Sequence, residues 1–145
     1  ACRVEAGVIS YSAAISACEK RGRDDVALRL LSEMWRSGLV PDVITYNAAI
    51  SACEKGGNVE RALRLLIEMR GRAVAPDAIS YDAAICACRR GQRFDAAFAL
   101  LLEMRGLKLV PDAISYSTAI SVCEHTQQSE FASKLVLEMW DSISE

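Results

Sequence analysis

The sequence lacks several features that would point to catalysis or to a membrane. It has one histidine among 145 residues, His125, and no nucleophile stands next to it. No hydrophobic run approaches the roughly 18–20 residues that span a bilayer. Neither sign of charge dominates, because 17 Lys and Arg stand against 19 Asp and Glu. These absences argue against a membrane-spanning protein and against an active site in these residues, and they restrict any basic nucleic-acid-binding stripe to part of the chain.

Proline is scarce, but its spacing is regular. Pro41, Pro76 and Pro111 are 35 residues apart, and the tyrosines and methionines keep the same step. Aligned on this period, the chain divides into repeats 8–42, 43–77 and 78–112 and a partial repeat 113–145. A fixed period without insertions is the signature of a repeat array, in which each unit packs mainly on its neighbours.

Each unit contains two helical patterns. The first has apolar residues at i, i+3, i+4 and i+7, which form one face of a helix. That face is Tyr11, Ala14, Ile15 and Cys18 in the first unit, then Tyr46, Ala49, Ile50 and Cys53, then Tyr81, Ala84, Ile85 and Cys88, then Tyr116, Ala119, Ile120 and Cys123. A polar or glycine-bearing break and a second apolar face follow in each unit. The sequence predicts an all-α fold, a right-handed α-solenoid of stacked helix-turn-helix repeats.

The two ends of the chain depart from the repeat. Residues 1–7 are interpreted as the end of a preceding degenerate repeat or a cap, because Glu-Ala-Gly replaces the Pro-Asp joint. The last unit is acidic, since Lys134 is its only Lys or Arg. The chain is therefore expected to be part of something longer.

Six cysteines raise the question of disulfides or zinc. Cys18, Cys53, Cys88 and Cys123 occupy the same place in successive units, and neighbouring helices lie about 10 Å apart, too far for a shared bridge or metal. Cys86 and Cys88 point to different helix faces. These residues are expected to be small buried hydrophobes, with no metal and no cofactor.

The period of 35, the opening Val-Ile-Thr-Tyr-Asn and the closing Pro-Asp resemble the pentatricopeptide repeat family. The Trp–Leu-Gly–Tyr signature of tetratricopeptide repeats is missing. The resemblance covers residues 8–145 and implies a single-stranded RNA-binding module that reads about one base per unit from the groove of first helices. It also implies a mitochondrion or plastid, an organellar ribonucleoprotein and no catalytic residues.

By position, the resemblance assigns three sets of RNA-contacting residues. The base clamps would be Ile9, Ile44, Ile79 and Ile114. The base-selecting pairs would be Ser12 with Asp42, Asn47 with Asp77, and Asp82 with Asp112, while Ser117 lacks a partner. The phosphate contacts would be Lys20, Lys55 and Arg90, with His125 in the fourth unit.

Each assignment has a structural alternative. The isoleucines can serve only packing, the aspartates can serve only as helix caps, and the cations can be solvated charges near helix ends. Asn47 and Asp77 match the family's uracil pair, whereas Ser12 and Asp42 match its guanine pairs more loosely. The two carboxylates of the third unit, Asp82 and Asp112, match no pair of the family well, since ionised carboxylates can only accept and they repel phosphate.

Two functions follow from these patterns. The first is RNA binding, with a uridine favoured at residues 43–77. The alternative is a protein–protein scaffold within a larger complex, which the near-neutral charge and the acidic last unit favour.

Overall fold

The computed structural model describes residues 2–109 and 113–125, together with Glu130, Ser133, Lys134 and Leu137. Residues 2–6 and Ala113, Ile114, Tyr116, Ala119, Val122 and Cys123 are described by their backbone alone. Residues 2–109 and 113–125 contain seven α-helices and no strand: α1 Cys2–Arg21, α2 Asp24–Arg36, α3 Val43–Lys55, α4 Val59–Gly71, α5 Ala78–Arg90, α6 Phe94–Gly106 and α7 Ala113–His125. The four later described residues are also helical. The predicted all-α class is confirmed.

Capping aspartates explain where the first helices begin. Asp42 accepts a hydrogen bond from the Thr45 N–H at 2.9 Å at the start of α3. Asp77 accepts one from the Ser80 N–H at 3.0 Å at the start of α5. Each bond satisfies an N–H that has no partner within the helix, so the Pro-Asp joint fixes the start of the next unit.

The turn between the two helices of a unit needs one residue with a positive φ. Gly22 and Gly57 provide it in the first two units, with φ values of +64° and +74°, and Gln92 adopts +59° in the third. This left-handed conformation ends a helix, and glycine adopts it without the clash of a side chain. The predicted breaks are confirmed at all three turns.

The helices stack in two layers. The first helices of successive units, α1, α3, α5 and α7, pack on one another in series. Each of the second helices α2, α4 and α6 packs on the first helix of its own unit and on that of the next. The result is an α-solenoid in which one layer of first helices forms a continuous surface.

The core lies between these layers. In the units 43–77 and 78–112 all four residues of each predicted apolar face are buried. In the first unit Ile15 and Cys18 are buried, while Tyr11 and Ala14 are half-buried. The face was predicted in the fourth unit as well, but Ile120 is 51% exposed. The prediction is wrong for Ile120, because among the described residues no further helix packs over α7 as α5 packs over α3.

Residues 2–7 do not form a separate element. α1 runs from Cys2 to Arg21 without a break, so the joint predicted before Val8 does not end a helix. The physical reason is that Glu-Ala-Gly at residues 5–7 lacks the proline that removes a backbone N–H and restricts the residue before it at the later joints.

The buried cysteines behave as hydrophobes. Cys18, Cys53 and Cys88 are buried free thiols at equivalent places. Burial raises the pKa of Cys53 to about 12 and that of Cys88 to about 11. Their thiols therefore stay protonated at neutral pH. The side chains of Cys2 and Cys123 are outside the described residues.

Tyrosine hydroxyls connect the layers. The Tyr46 hydroxyl donates to Glu68 Oε2 at 2.9 Å and accepts from Trp35 Nε1 at 3.0 Å. Because Trp35 belongs to the preceding unit, this bond joins neighbouring repeats. Burial is the main cause that raises the pKa of Tyr46 to about 12. Among the described helices, none is long and apolar enough to cross a membrane.

Candidate nucleic-acid interface

A groove of about 600 Å³ runs along the first helices of the second and third units. Its lining combines apolar, amide and carboxylate side chains with one lysine. The lining includes Ile44, Asn47, Glu54, Lys55, Asp77, Ile79 and Asp82, with Glu19 from α1.

The isoleucines of the first turns face solvent. Ile9, Ile44 and Ile79 are 68%, 69% and 64% exposed, although isoleucine is usually buried. Ile44 and Ile79 line the groove. Packing inside the protein therefore does not account for them. The side chain of Ile114 is outside the described residues.

In the second unit the two predicted selecting residues are in direct contact. Asn47 is buried in α3, at 9% exposure, and its Nδ2 donates to Asp77 Oδ1 at 3.1 Å. Burial opposes ionisation of Asp77, but hydrogen bonds from the Ser80 N–H, the Asn47 amide and the Ser80 hydroxyl outweigh it and lower its pKa below 3.8. Asp77 is thus an ionised acceptor at neutral pH that also caps α5.

In the first unit the selecting residues are connected through a third side chain. Ser12 Oγ lies 2.8 Å from Thr45 Oγ1, and Thr45 Oγ1 donates to Asp42 Oδ1 at 2.7 Å. Ser12, Thr45 and Asp42 therefore form one chain of hydrogen bonds.

In the third unit the selecting residue is the carboxylate Asp82, and it again contacts a hydroxyl of the next first helix. Ser115 Oγ donates to Asp82 Oδ1 at 3.0 Å. Asp112, the predicted partner of Asp82, lies outside the described residues. Ser117 is exposed on α7, and its backbone carbonyl accepts a hydrogen bond from Ser121 Oγ at 3.1 Å.

The sequence interpretation missed the hydroxyl that recurs at these joints. Thr45, Ser80 and Ser115 each lie within hydrogen-bond distance of the selecting residue of the preceding unit. They are buried, at 1%, 0% and 0% exposure. Their signal was present in the sequence, because a Ser or Thr recurs every 35 residues from Ser10 onward.

The predicted phosphate cations are exposed, but two of them form ion pairs with the preceding unit. Lys55 Nζ lies 3.6 Å from Glu19 Oε1, and Arg90 donates from its guanidinium to Glu54 Oε1 at 3.2 Å. Lys20 is exposed at the end of α1. The sequence interpretation also missed these two glutamates, which reduce the positive charge of the groove.

His125 does not share the arrangement of Lys55 and Arg90. Its ring stacks on Phe94 of α6, with 4.5 Å between ring centroids and 13° between ring planes. Its Nδ1 is 2.8 Å from the Ser121 carbonyl oxygen. The phosphate contact of His125 stays a prediction, and an aromatic side chain of the second layer holds its ring.

Two family models match the chain. The model described as "PPR repeat family" matches residues 6–55 and 41–90, and the one described as "PPR repeat" matches residues 79–109. Among curated proteins, no match was found.

Similar solved structures are helical repeat proteins. The pentatricopeptide repeat (PPR) protein PPR10, in complex with an 18-nucleotide psaJ RNA element, is 30% identical to this chain with a TM-score of 0.70. The match covers 80% of this chain and 17% of that chain. PPR10 from maize is 24% identical with a TM-score of 0.77, covering 92% of this chain and 19% of that chain. The chain therefore spans less than a fifth of the PPR10 chains that it matches.

The third structure is more distant in sequence. The PPR domain of Arabidopsis thaliana protein-only RNase P 1, in complex with tRNA, is 17% identical with a TM-score of 0.64. The match covers 94% of this chain and 91% of that chain. At this identity, and at the 24% of the maize structure, the likeness shows the fold alone.

Proposed function

The chain belongs to the pentatricopeptide repeat family, and on that basis we propose that it is a module that binds single-stranded RNA along its groove of first helices. The observation that carries the proposal is the arrangement around Asn47. This side chain and Asp77 form a hydrogen-bonded pair in a groove that the exposed Ile44 and Ile79 also line. A base entering the groove would meet polar groups at its edge and apolar groups on its faces.

The hydrogen-bonding groups of Asn47 favour uridine in the second unit. One Nδ2 proton is donated to Asp77, which leaves the other for a base. The Watson–Crick edge of uracil offers two carbonyl acceptors and one N–H donor, whereas that of cytosine places an amino donor where uracil has a carbonyl. An asparagine that presents N–H to the 4-position of the base therefore selects for uracil over cytosine. In the first unit the Ser12–Asp42 pair favours guanine.

The cations at the ends of the first helices would contact the phosphates. Lys20, Lys55 and Arg90 recur once per unit, so they can follow the RNA backbone without reading its sequence. The fourth unit, where His125 replaces the cation, contributes little to this contact. The host assembly that we propose is an organellar ribonucleoprotein, and these residues carry binding and no chemical step.

The experiment that tests this function measures retention of single-stranded RNA pools at low salt. We expect the chain to retain RNA with uridine enriched at one position. Asn47→Ala should remove that enrichment alone, whereas Lys55→Ala should weaken all sequences and lower the slope of affinity against salt. If the chain retains no RNA, or if neither variant changes retention, the proposal is wrong.

A protein scaffold is the second candidate, and one observation favours it. Four carboxylates, Glu19, Glu54, Asp77 and Asp82, line the groove that RNA would occupy, against one lysine. Such a surface is suited to a basic peptide. A short Lys/Arg-rich peptide that binds the chain, and competes with RNA when RNA also binds, would support this candidate. Binding of RNA without binding of that peptide would exclude the groove as the peptide site.

A further inference from the structure

We propose that the hydroxyl at the third position of a unit, represented by Thr45 and Ser80, determines which hydrogen-bonding groups the preceding unit presents to a base. This inference rests on the proposed function and adds to it a positioning residue in each reading site. The hydroxyl contacts the selecting residue and not the base. Each site would then be built across the joint between two units.

The first observation is that the contact recurs whatever the selecting residue is. The hydroxyl of Thr45 meets a serine, that of Ser80 meets an asparagine and that of Ser115 meets an aspartate. The capping aspartate explains the constant position. It fixes the start of the helix, and the third residue then lies in the first turn with its hydroxyl beside the cap.

The direction of the hydrogen bonds can be derived for Ser12. The Asp42 carboxylate only accepts, so the Thr45 hydroxyl donates its single proton to Asp42 at 2.7 Å. Thr45 Oγ1 can then only accept, and the 2.8 Å contact must be a donation from Ser12. The Ser12 oxygen is left with lone pairs alone. An acceptor of this kind suits the N1–H and N2–H donors of guanine.

Ser80 has the opposite effect on Asn47. Asn47 Oδ1 and Asp77 Oδ1 can both only accept, and both lie within hydrogen-bond distance of the Ser80 hydroxyl, so its single proton is shared between them. Asn47 Nδ2 meanwhile points to Asp77. The side-chain oxygen of Asn47 is thereby engaged inside the protein, and the remaining Nδ2 proton is the group available to the groove. The same hydroxyl position therefore makes Ser12 an acceptor and Asn47 a donor.

Ser80 also takes part in the N-terminal cap of α5, in addition to its contact with Asn47. The Asp77 N–H donates to Ser80 Oγ at 3.1 Å while the Ser80 N–H donates to Asp77 Oδ1 at 3.0 Å, which is a capping box. Loss of the hydroxyl would free the Asn47 amide to rotate and would also remove one cap contact. A test must therefore separate base selection from stability.

The test uses RNA pools in which one base at a time is varied opposite the first two units. Thr45→Val keeps the shape of the side chain without the hydroxyl, and we expect guanine selection at the first unit to fall about three- to tenfold, the effect of one hydrogen bond. Uridine selection at the second unit should not change. Ser80→Ala should give the reverse pattern, so each variant is the folding control of the other.

Two further variants protect the test against loss of folding. Ser80→Cys replaces the hydroxyl by a thiol, which is a weaker donor, and should lower uridine selection. Ser80→Thr retains a hydroxyl, like the one at Thr45, and should leave uridine selection unchanged. Equal selection in wild type, Thr45→Val, Ser80→Ala and Ser80→Cys would overturn this inference while leaving RNA binding intact. A wild-type chain that binds no RNA would overturn the proposed function and this inference with it. A wild-type chain that binds RNA without selecting a base at these two units would overturn this inference and the proposed uridine preference, while leaving RNA binding intact.

Discussion

The second and third units share their packing and differ in their groove. Tyr46 and Tyr81 are both fully buried, and so are Ile50 and Ile85. At the selecting position, however, α3 carries the amide Asn47 and α5 carries the carboxylate Asp82. The two helices therefore meet the same demands from their neighbours while presenting different chemistry to a ligand.

This difference shows that the constraints on the two faces of a first helix are separate. The buried face must fit the helices on both sides, and a cavity there costs stability. The groove face meets solvent, the joint of the next unit and glutamates of the preceding unit, and none of these contacts fills the core, so its side chains can change with little effect on the stack. Four changes test this comparison, beginning with the largest expected effect.

Truncation in the shared core should affect both units alike. We expect Ile50→Ala and Ile85→Ala each to lower the free energy of unfolding by about 2–5 kcal/mol, the usual cost of truncating a fully buried isoleucine. Urea unfolding followed by circular dichroism measures both. The exposed Ile44→Ala and Ile79→Ala are the controls, with changes within about 0.5 kcal/mol. A much smaller loss for Ile85→Ala would show that the two cores are not equivalent.

Exchange of the selecting residue should exchange the chemistry of the two grooves. Asp82→Asn gives the third unit the amide of the second, and we expect a new uridine preference there of about 1–3 kcal/mol. Asn47→Asp should remove the preference at the second unit by a similar amount, because a carboxylate cannot donate to uracil. Binding of RNA with single-base changes measures both. An Asp82→Asn variant without any base preference would indicate that the third unit differs from the second in more than this selecting residue.

The turns of the two units differ in the residue that adopts a positive φ. Gly57 has φ +74° and Gln92 has φ +59°. We expect Gly57→Ala to destabilise the chain by about 1 kcal/mol through the backbone strain of a side chain at positive φ. A clash does not contribute, because nothing lies within 4 Å of the added Cβ. Gln92→Gly should remove such strain, and the greater freedom of the unfolded chain reduces its gain to a few tenths of a kcal/mol up to about 1 kcal/mol. Thermal unfolding tests both signs, and a destabilised Gln92→Gly would contradict the assignment of strain.

The smallest effect concerns the ion pair that joins the two units. Glu54→Gln frees Arg90 from its 3.2 Å contact and should cost at most about 1 kcal/mol of stability, because the arginine is exposed. We expect a modest gain in affinity for all RNA sequences, with a steeper dependence on salt. Glu60→Gln, which removes the pair between α4 and Arg93 at the start of α6, is the control with the same charge change. An equal gain from both variants would reflect net charge alone.

Much of the fold was predictable because packing repeats with the sequence. The period located the helices, and the break predicted after each first apolar face agrees with the turns observed at Gly22, Gly57 and Gln92. The exceptions were at the ends, where Ile120 is exposed and α1 begins before its repeat. A periodic pattern assumes that every unit has the same neighbours, whereas within the described residues the contacts of α1 and α7 differ from those of α3 and α5.

The sequence predicted which positions form the candidate site, but not which side chains contact one another there. The family resemblance named Asn47, Asp77 and Lys55, and the structure describes all three in one groove. It did not indicate that Ser80 orients the pair or that Glu19 lies beside the lysine. These partners belong to the next or the preceding unit, and a position-by-position reading treats each unit alone.

The sequence by itself determined that this protein is a helical repeat stack, because the spacing of apolar residues, prolines and capping aspartates is a property of one unit that recurs. Only the tertiary structure decided the hydrogen-bonding state of the groove. The direction of the bonds at Ser12 and Asn47 depends on a hydroxyl 33 residues away, and the charge of the groove depends on glutamates of the preceding unit. Such contacts exist only once the units are stacked, because stacking brings groups that are about one period apart within hydrogen-bond distance.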